Sequence, residues 1–484
     1  MKDPDWEAVI GLEIHVQLNT KSKLFSRAPN QYGDQPNCNI SVACTGQPGS
    51  IPILNGQAVR KAVQFGCAVG ATVNRHSRFD RKTYFYPDNP KNFQITQFEK
   101  PLITGGSVLA EVDGQMKSFE IDHAHIEDDS GMMKHFSGFA GVDYNRAGVP
   151  LIEIVSTPTI HSASEAIAYA TAIRSIMLYI GASDCSMEKG SLRFDANVSV
   201  RKHGESGLRT KMEIKNMNSF RHMELAIESE IKRQVNLYKA NPALVMQEAT
   251  YRFDPESQQN ILMRKKEEAQ DYLYFPEPDL APLVLSNDYI EKIRKELPEL
   301  PDARYKRYTS GYKLDAATAA RLIRDKPLSD YFDRAVLSCE NPTLIPQLAN
   351  WVVNEFPGRL KGSLPLPESL IPPSHIAEVV SLISRELITG RNAKLLADLM
   401  AFFPEKSPEQ ILAENPNFLA LTNEEELQLI VSKVVHENPL SVQAYKAGKE
   451  RALAALIGQV MKLSGGKASP ERATTLLRSL LSES

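Results

Sequence analysis

Residues 12–18, Leu-Glu-Ile-His-Val-Gln-Leu, alternate strictly between apolar and polar. Side chains of an extended strand change face at every residue, so Leu12, Ile14, Val16 and Leu18 go one way and Glu13, His15 and Gln17 the other. The same period returns from Ser191 to Arg201. Leu192, Phe194, Ala196, Val198 and Val200 share one face there, and Arg193, Asp195, Asn197, Ser199 and Arg201 share the opposite one. Thr210 to Lys215 repeats it and groups Lys211, Glu213 and Lys215. Helical spacing is clear where Ile173, Ile176, Met177 and Ile180 form an apolar stripe. Ser162 and Glu165 predict a capping box at its start and Gly181 a stop at its end. A second helix is predicted from Ser219 to about Tyr238.

After Pro282 the texture changes, and from about Tyr289 apolar residues recur at helical spacing. A Pro/Gly-rich stretch at 357–373 and the run Phe403-Pro404-Glu405-Lys406-Ser407-Pro408 break this helical half. The pattern predicts an α+β portion over residues 1–288, a helical domain over 289–405 and a helical C-terminal module over 406–484.

Composition narrows the class. Hydrophobic residues make up 42% and charged residues 24% of the 484, with a net charge of −3, as in an ordinary soluble protein. Any nucleic-acid contact must therefore come from a local basic patch. No apolar run approaches the ~20 residues of a membrane helix, and the acidic N-terminus lacks a secretory or transit signature. Five scattered cysteines do not make a disulfide framework, which favours the cytoplasm. Cys38 and Cys44 fall short of the four ligands of a structural zinc and read as ordinary thiols.

Candidate chemistry concentrates in the first third. Glu13 and His15 aim a carboxylate and an imidazole at one space; the same pattern also describes a strand with a solvated polar face. Glu127-Asp128-Asp129 adds three carboxylates, and Glu153 interrupts the apolar run 150–155, where an unpaired carboxylate is costly to bury. Together these residues suit one or two Mg²⁺ ions, which prefer oxygen ligands. The stretch from Asp80 to Lys91 mixes cations and aromatics around a Pro-Asp-Asn-Pro turn, a composition suited to an anionic ligand and equally to a strand with a tight turn. The polar face of Arg193, Asp195 and Asn197, with Lys211 and Lys215 behind it, either faces solvent or floors a nucleotide site. No Walker, Rossmann or kinase signature is present, and no nucleophile–base arrangement suggests amide hydrolysis. The last module carries Lys446, Lys449, Lys462 and Lys467, with Arg451, Arg472 and Arg478, against Glu450, Glu471 and Glu483. Such a face binds phosphate backbones or is simply solvated.

Several long stretches, in order, resemble the GatB family, the B subunits of aspartyl/glutamyl-tRNA amidotransferases. They are Val-Ile-Gly-Leu-Glu-Ile-His-Val-Gln-Leu from Val9, Asp-Arg-Lys-Thr-Tyr-Phe-Tyr-Pro-Asp-Asn-Pro-Lys from Asp80, Asn-Arg-Ala-Gly-Val-Pro-Leu-Ile-Glu-Ile-Val from Asn145 and Gly-Ser-Leu-Arg-Phe-Asp-Ala-Asn-Val-Ser from Gly190. Glu-Ile-Lys-Asn-Met-Asn-Ser-Phe from Glu213, Asp-Tyr-Leu-Tyr-Phe-Pro-Glu-Pro-Asp-Leu from Asp271 and Gly-Gln-Val-Met-Lys from Gly458 complete the set. The resemblance implies a glutamine synthetase-like catalytic cradle followed by two all-helical modules that grip tRNA. It implies ATP- and Mg²⁺-dependent phosphorylation of the side-chain carboxylate of Glu-tRNA(Gln) or Asp-tRNA(Asn), then amidation. The glutamine-derived ammonia would come by tunnel from the amidase, or A, subunit, with the small C subunit holding the assembly. It implies Glu13, His15 and Glu153 as metal ligands with a carboxylate from Glu127, Asp128 and Asp129. It further implies that Lys82, Tyr84 and Lys91 fall where the family places residues near the ammonia route and the mouth of the site. The chain departs from the family at Asp128, usually Glu, at Leu273, usually Arg, and at Lys189, commonly Glu. A tRNA-binding scaffold without catalysis is the second expectation.

Overall fold

The alternation at residues 12–18 lies within a longer strand, β1 (Trp6–Gln17), the centre of a ten-stranded sheet among the described residues. The computed structural model describes residues 4–265, 272–360, 364–421 and 423–482. Asp271 at the head of its motif, residues 361–363 of the Pro/Gly-rich connection, and Glu483 lie outside these. On one side β1 pairs antiparallel with β3 (Pro150–Ser156), which pairs in turn with β2 (Gln115–Asp128). On the other side it pairs antiparallel with β4 (Leu192–Lys202), followed by β5 (Met212–Lys215). Strands Ala249–Asp254 and Gln259–Lys265 extend the sheet beyond β5.

Ile10, Leu12, Ile14, Val16 and Leu18 are completely buried. Each such side chain contributes roughly 1.5–3 kcal/mol by leaving water. Their cover comes from α1 (Gly56–Ala68), α2 (Ala163–Tyr179) and α3 (Phe220–Ala240), which supply Phe65, Ile173, Met177, Met223 and Ile227 to the same core. A sheet with helices on one face leaves its other face for a site. That face carries the polar positions of β1, β3 and β4.

The helix starts match the predicted signals with one refinement. The Ser162 hydroxyl accepts the Glu165 N–H at 3.2 Å, but the Glu165 carboxylate turns back to the N–H of His161 at 2.8 Å, one residue before the predicted partner. α3 begins where expected, and Ser219 caps it by accepting the His222 N–H at 3.0 Å. The five cysteines are free. Cys44 is buried, with the hydroxyls of Ser26 and Ser41 each 3.3 Å from its sulfur. Against burial, those hydroxyls and the Lys23 ammonium lower its pKa.

The chain divides into two compact units, Met1–Asp302 and Ala303–Ser484. The first takes in α4 (Asn287–Lys295), whose Ile290 and Ile293 join the sheet core; the helical texture from Tyr289 therefore begins inside this unit. The second unit is helical among its described residues and contains two apolar clusters. One is built from residues 308–412 around Trp351 and Phe356, the other from 427–481 around Leu456 and Leu477. Among the described residues no helix is long and apolar enough to cross a membrane.

A smaller three-stranded sheet joins Leu273–Pro276, Asp80–Thr83 and Phe93–Thr96. It is clamped by Arg81, whose Nε and Nη2 donate to the buried Glu277 carboxylate at 2.6 and 2.9 Å. Glu277→Ala leaves that partly exposed guanidinium only the longer contact to Asp279 at 3.3 Å, and we expect a loss of about 2 kcal/mol, measured by denaturant unfolding of the protein. Ser162→Ala should cost about 1 kcal/mol and Ser162→Gly only a few tenths in the same measurement.

Candidate active site

Sheet register decides which side chains meet. His15 lies opposite Glu153 on β3 and opposite Arg193 on β4, Glu13 lies opposite Asp195, and Glu153 lies opposite His125 on β2. All of these positions share the face left bare by the helices. All but His125, which lies behind Glu127 and Glu153, line a cleft of about 580 Å³, together with Lys82, Tyr84, Asp129, Glu213, Lys215 and Tyr272.

Two groups of possible metal ligands lie in this cleft. In the first, His15, Glu127 and Glu153 each offer an atom within 4.8 Å of the others. His15 Nε2 is 3.3 Å from Glu153 and 3.7 Å from Glu127. Burial works to lower the His15 pKa, but Glu153 and Glu127 more than reverse it and lift the ring to about 9. Against burial, His125 and His15 hold the Glu153 carboxyl far below the usual carboxylate range. In the second group, Glu13, Asp195 and Glu213 converge within the same limit. Lys215 Nζ lies 2.7 Å from Asp195 and 3.0 Å from Glu213, and Asn197 Nδ2 donates to Glu13 at 2.8 Å. Burial, with Glu153 and Asp195 nearby, pushes the Glu13 pKa up. Against burial, Asp195 and Glu213 raise that of Lys215. Clustered carboxylates of this kind are stable only with positive charge among them.

The donor sets fit a hard divalent cation. The second group is all carboxylate, the ligand type Mg²⁺ favours; the first adds one imidazole to two carboxylates. Glu13 and His15, although two apart on one strand, thus belong to adjacent groups.

Asp128 is a correction. It follows Glu127 on a strand, so its side chain points to the opposite face. It is buried there, bound to the Lys91 ammonium and accepting the Ile95 N–H at 2.7 Å. It does not line the cleft, and Glu127 is the member of the acidic run that reaches the His15 group. Asp129 does line the cleft, but it is engaged by Arg193 at 2.8 Å and Gln17 at 3.0 Å. Against burial, Arg193 and Arg146 keep its pKa low.

Lys82 enters the cleft beside the Tyr272 ring, 4.9 Å from its centroid. Burial opposes its charge, but Glu127 and other neighbours raise its pKa. Tyr84 packs edge-on to Tyr272 at 5.9 Å, and burial pushes its phenol upward in pKa. Lys91 sits with Tyr84 and Asp128 around a small space next to the cleft rather than in it. Asn197 and the exposed Lys211 line a neighbouring cavity that shares Glu13 with the cleft. Lys446, Lys449 and Lys462 are exposed in the second unit, and Lys467 is half-buried at the turn between the last two helices.

The sequence pattern did not single out His125. Its Nε2 lies 3.7 Å from Glu127 and 3.6 Å from Glu153, and its buried Nδ1 has no hydrogen-bond partner among the described residues. Its parity with Glu127, two residues on, was the available signal. Glu213 was placed on a polar face but not among metal ligands, because nothing local indicates that β5 lies beside β4.

The chain matches the family model described as GatB/GatE catalytic domain over residues 8–291 and the one described as GatB domain over 330–481. It is similar to the B subunit of the aspartyl/glutamyl-tRNA(Asn/Gln) amidotransferase of Protochlamydia amoebophila, with 57% identity over 98% of this chain and 96% of that relative. The proteins of the same name from Chlamydia pneumoniae and Chlamydia abortus are 55% and 56% identical. These matches also cover 98% of this chain, with 97% and 98% of the respective relatives. With both halves matched and identity sustained over nearly its whole length, the chain belongs to the GatB family.

Proposed function

We propose that this chain is the B subunit of a glutamine-dependent aspartyl/glutamyl-tRNA amidotransferase. It would phosphorylate the side-chain carboxylate of Glu-tRNA(Gln), Asp-tRNA(Asn) or both with ATP, then amidate it. The ammonia would come from an amidase partner, the A subunit, and the small C subunit would complete the assembly. The observation that carries this reading is the pair of ligand groups side by side on one rigid sheet face, within a chain more than half identical to B subunits. The helix-backed sheet suits the glutamine synthetase-like cradle implied by the sequence resemblance. The substrate would be an aminoacyl-tRNA, and the cytoplasm suits such work.

Attack on an ionised carboxylate needs a better leaving group than oxide, and a transferred phosphoryl group supplies one. Such transfer requires charge neutralisation and alignment more than covalent help. His15, Glu127 and Glu153, and beside them Glu13, Asp195 and Glu213, would hold Mg²⁺. When bound, Mg²⁺ supplies charge neutralisation at phosphoryl oxygens. Lys82 and Lys215 bring fixed cations to the same cleft, and Arg193 is oriented by Asp129. Tyr84 and Lys91 border the cleft where ammonia would arrive. Lys446, Lys449, Lys462 and Lys467 provide cations for a tRNA backbone.

The decisive experiment assembles the chain with its A and C partners. It assays both mischarged tRNAs with glutamine and ATP; absence of amide product on either would overturn the reading. ADP release should require mischarged tRNA, and chelation of Mg²⁺ should abolish it. His15→Ala and Glu153→Gln should each lower turnover by about a hundredfold or more, as loss of metal-ligand support does, while tRNA affinity stays within about twofold. Full turnover in His15→Ala would refute the metal assignment, and ADP release indifferent to these substitutions would favour a scaffold. Removing Lys446, Lys449 and Lys462 together should weaken tRNA binding and flatten its salt dependence by about one logarithmic unit of slope per lysine.

A further inference from the structure

The two faces of the smaller sheet differ in kind. On one, the Arg81 guanidinium lies over the Phe93 ring at 4.2 Å and the Phe275 ring at 5.9 Å, held there by Glu277. On the other, Tyr274 and Gln94 flank Lys82 in register, and Lys82, Gln94 and Tyr272 line the cleft.

That second face carries a row of rings. Tyr84 meets Tyr272 edge-on at 5.9 Å, and Tyr272 meets Tyr274 edge-on at 6.5 Å. Tyr274 in turn stacks on Phe98 at 4.1 Å, with the planes 15° apart. The row starts in the cleft, which Tyr84 and Tyr272 line, and continues along the sheet to Phe98. Core packing does not account for it. Tyr272 is 40% exposed and Phe98 61%, and among the described residues neither these two nor Tyr274 belongs to an apolar cluster. Leaving such rings in water forgoes one of the larger apolar contributions a side chain can make.

A row of flat faces suits successive unpaired bases, which stack on aromatic side chains whatever their identity. Cations stand at its cleft end. Lys82 lies 4.9 Å from the Tyr272 centroid, and the exposed Arg264 and Lys265 line the same cleft. Resting on the proposed reaction, we infer that this row seats the single-stranded acceptor end of the aminoacyl-tRNA. The terminal nucleotide, whose ribose carries the amino acid, stacks at Tyr272, which puts the aminoacyl group in the cleft with the ligand groups. The preceding bases lie along Tyr274 and Phe98. ATP has a single base and would leave most of the row unused.

The test uses the chain assembled with its partners. Tyr274→Leu and Phe98→Leu keep apolar bulk but lose the flat face. Each should lower kcat/KM for aminoacyl-tRNA about tenfold while KM for ATP changes less than about twofold. Tyr274→Phe and Phe98→Tyr keep the ring and should stay near the unsubstituted protein, which separates stacking from misfolding. Independently of turnover, tRNA carrying 2-aminopurine in place of its terminal adenine should lose fluorescence on binding, because stacking quenches that base. Tyr272→Leu should remove most of the quench. With tRNA trimmed of its unpaired acceptor nucleotides, the leucine variants should bind as the unsubstituted protein does. Unchanged kcat/KM for aminoacyl-tRNA in both Tyr274→Leu and Phe98→Leu overturns the inference. So does a raised KM for ATP alone, which would give the rings to the nucleotide, or an equal loss of affinity for the trimmed tRNA. Ring-dependent quenching in a protein that forms no amide would uphold the seat for the acceptor end while removing the proposed reaction.

Discussion

The structure depends on balancing charge on one face of a sheet whose other face is sealed by helices. Glu13, Glu127, Glu153, Asp195 and Glu213 occupy neighbouring positions there, and their mutual repulsion is large at this burial. Lys82, Lys215, Arg193 and the imidazole of His15 offset it from within the same cleft, and His125 does so from beside it. The raised pKa of His15 and the depressed one of Glu153 are two sides of one interaction. A site balanced in this way tolerates an incoming cation or anion only where it replaces a charge already present. That matches a reaction in which a metal, a polyphosphate and a carboxylate must converge.

Rigidity comes from the apolar side. The fully buried residues of β1 fix the strand against α1, α2 and α3, so the alternate residues have little freedom in position. The smaller sheet brings Lys82 to the cleft, and it is secured separately by the Arg81–Glu277 clamp. Positioning and chemistry are thus divided between opposite faces of single strands, and adjacent residues serve different ends. Glu127 and Asp128 illustrate this most directly.

What was legible in the sequence was whatever a single strand or helix determines. The parity of β1 and β4, the stripe and start of α2, the extent of α3, and the shared sheet face of Glu13 and His15 all follow from local period. What was not legible depends on which strand lies beside which. The Asp129–Arg193 pair spans 64 positions, and the group of Glu13, Asp195 and Glu213 needs three strands in register. Asp128 illustrates a different limit. Its parity was available, but a run of three acids looks like one cluster until alternation is applied across it. The helical spacing at α4 was legible but not what it packs on, because a helix packed on a sheet carries the same spacing as one packed on other helices.

The pairing of His15 with Glu153 across β1 and β3 also constrains how this protein can change through descent. A single-residue insertion or deletion within β1 would turn Ile14 into the cleft and place Glu13 and His15 in the apolar layer, reversing both faces at once. Substitutions here can be gradual, whereas changes of length cannot. The strand is thereby fixed in length by its own two-sidedness, while loops at its ends remain free to grow.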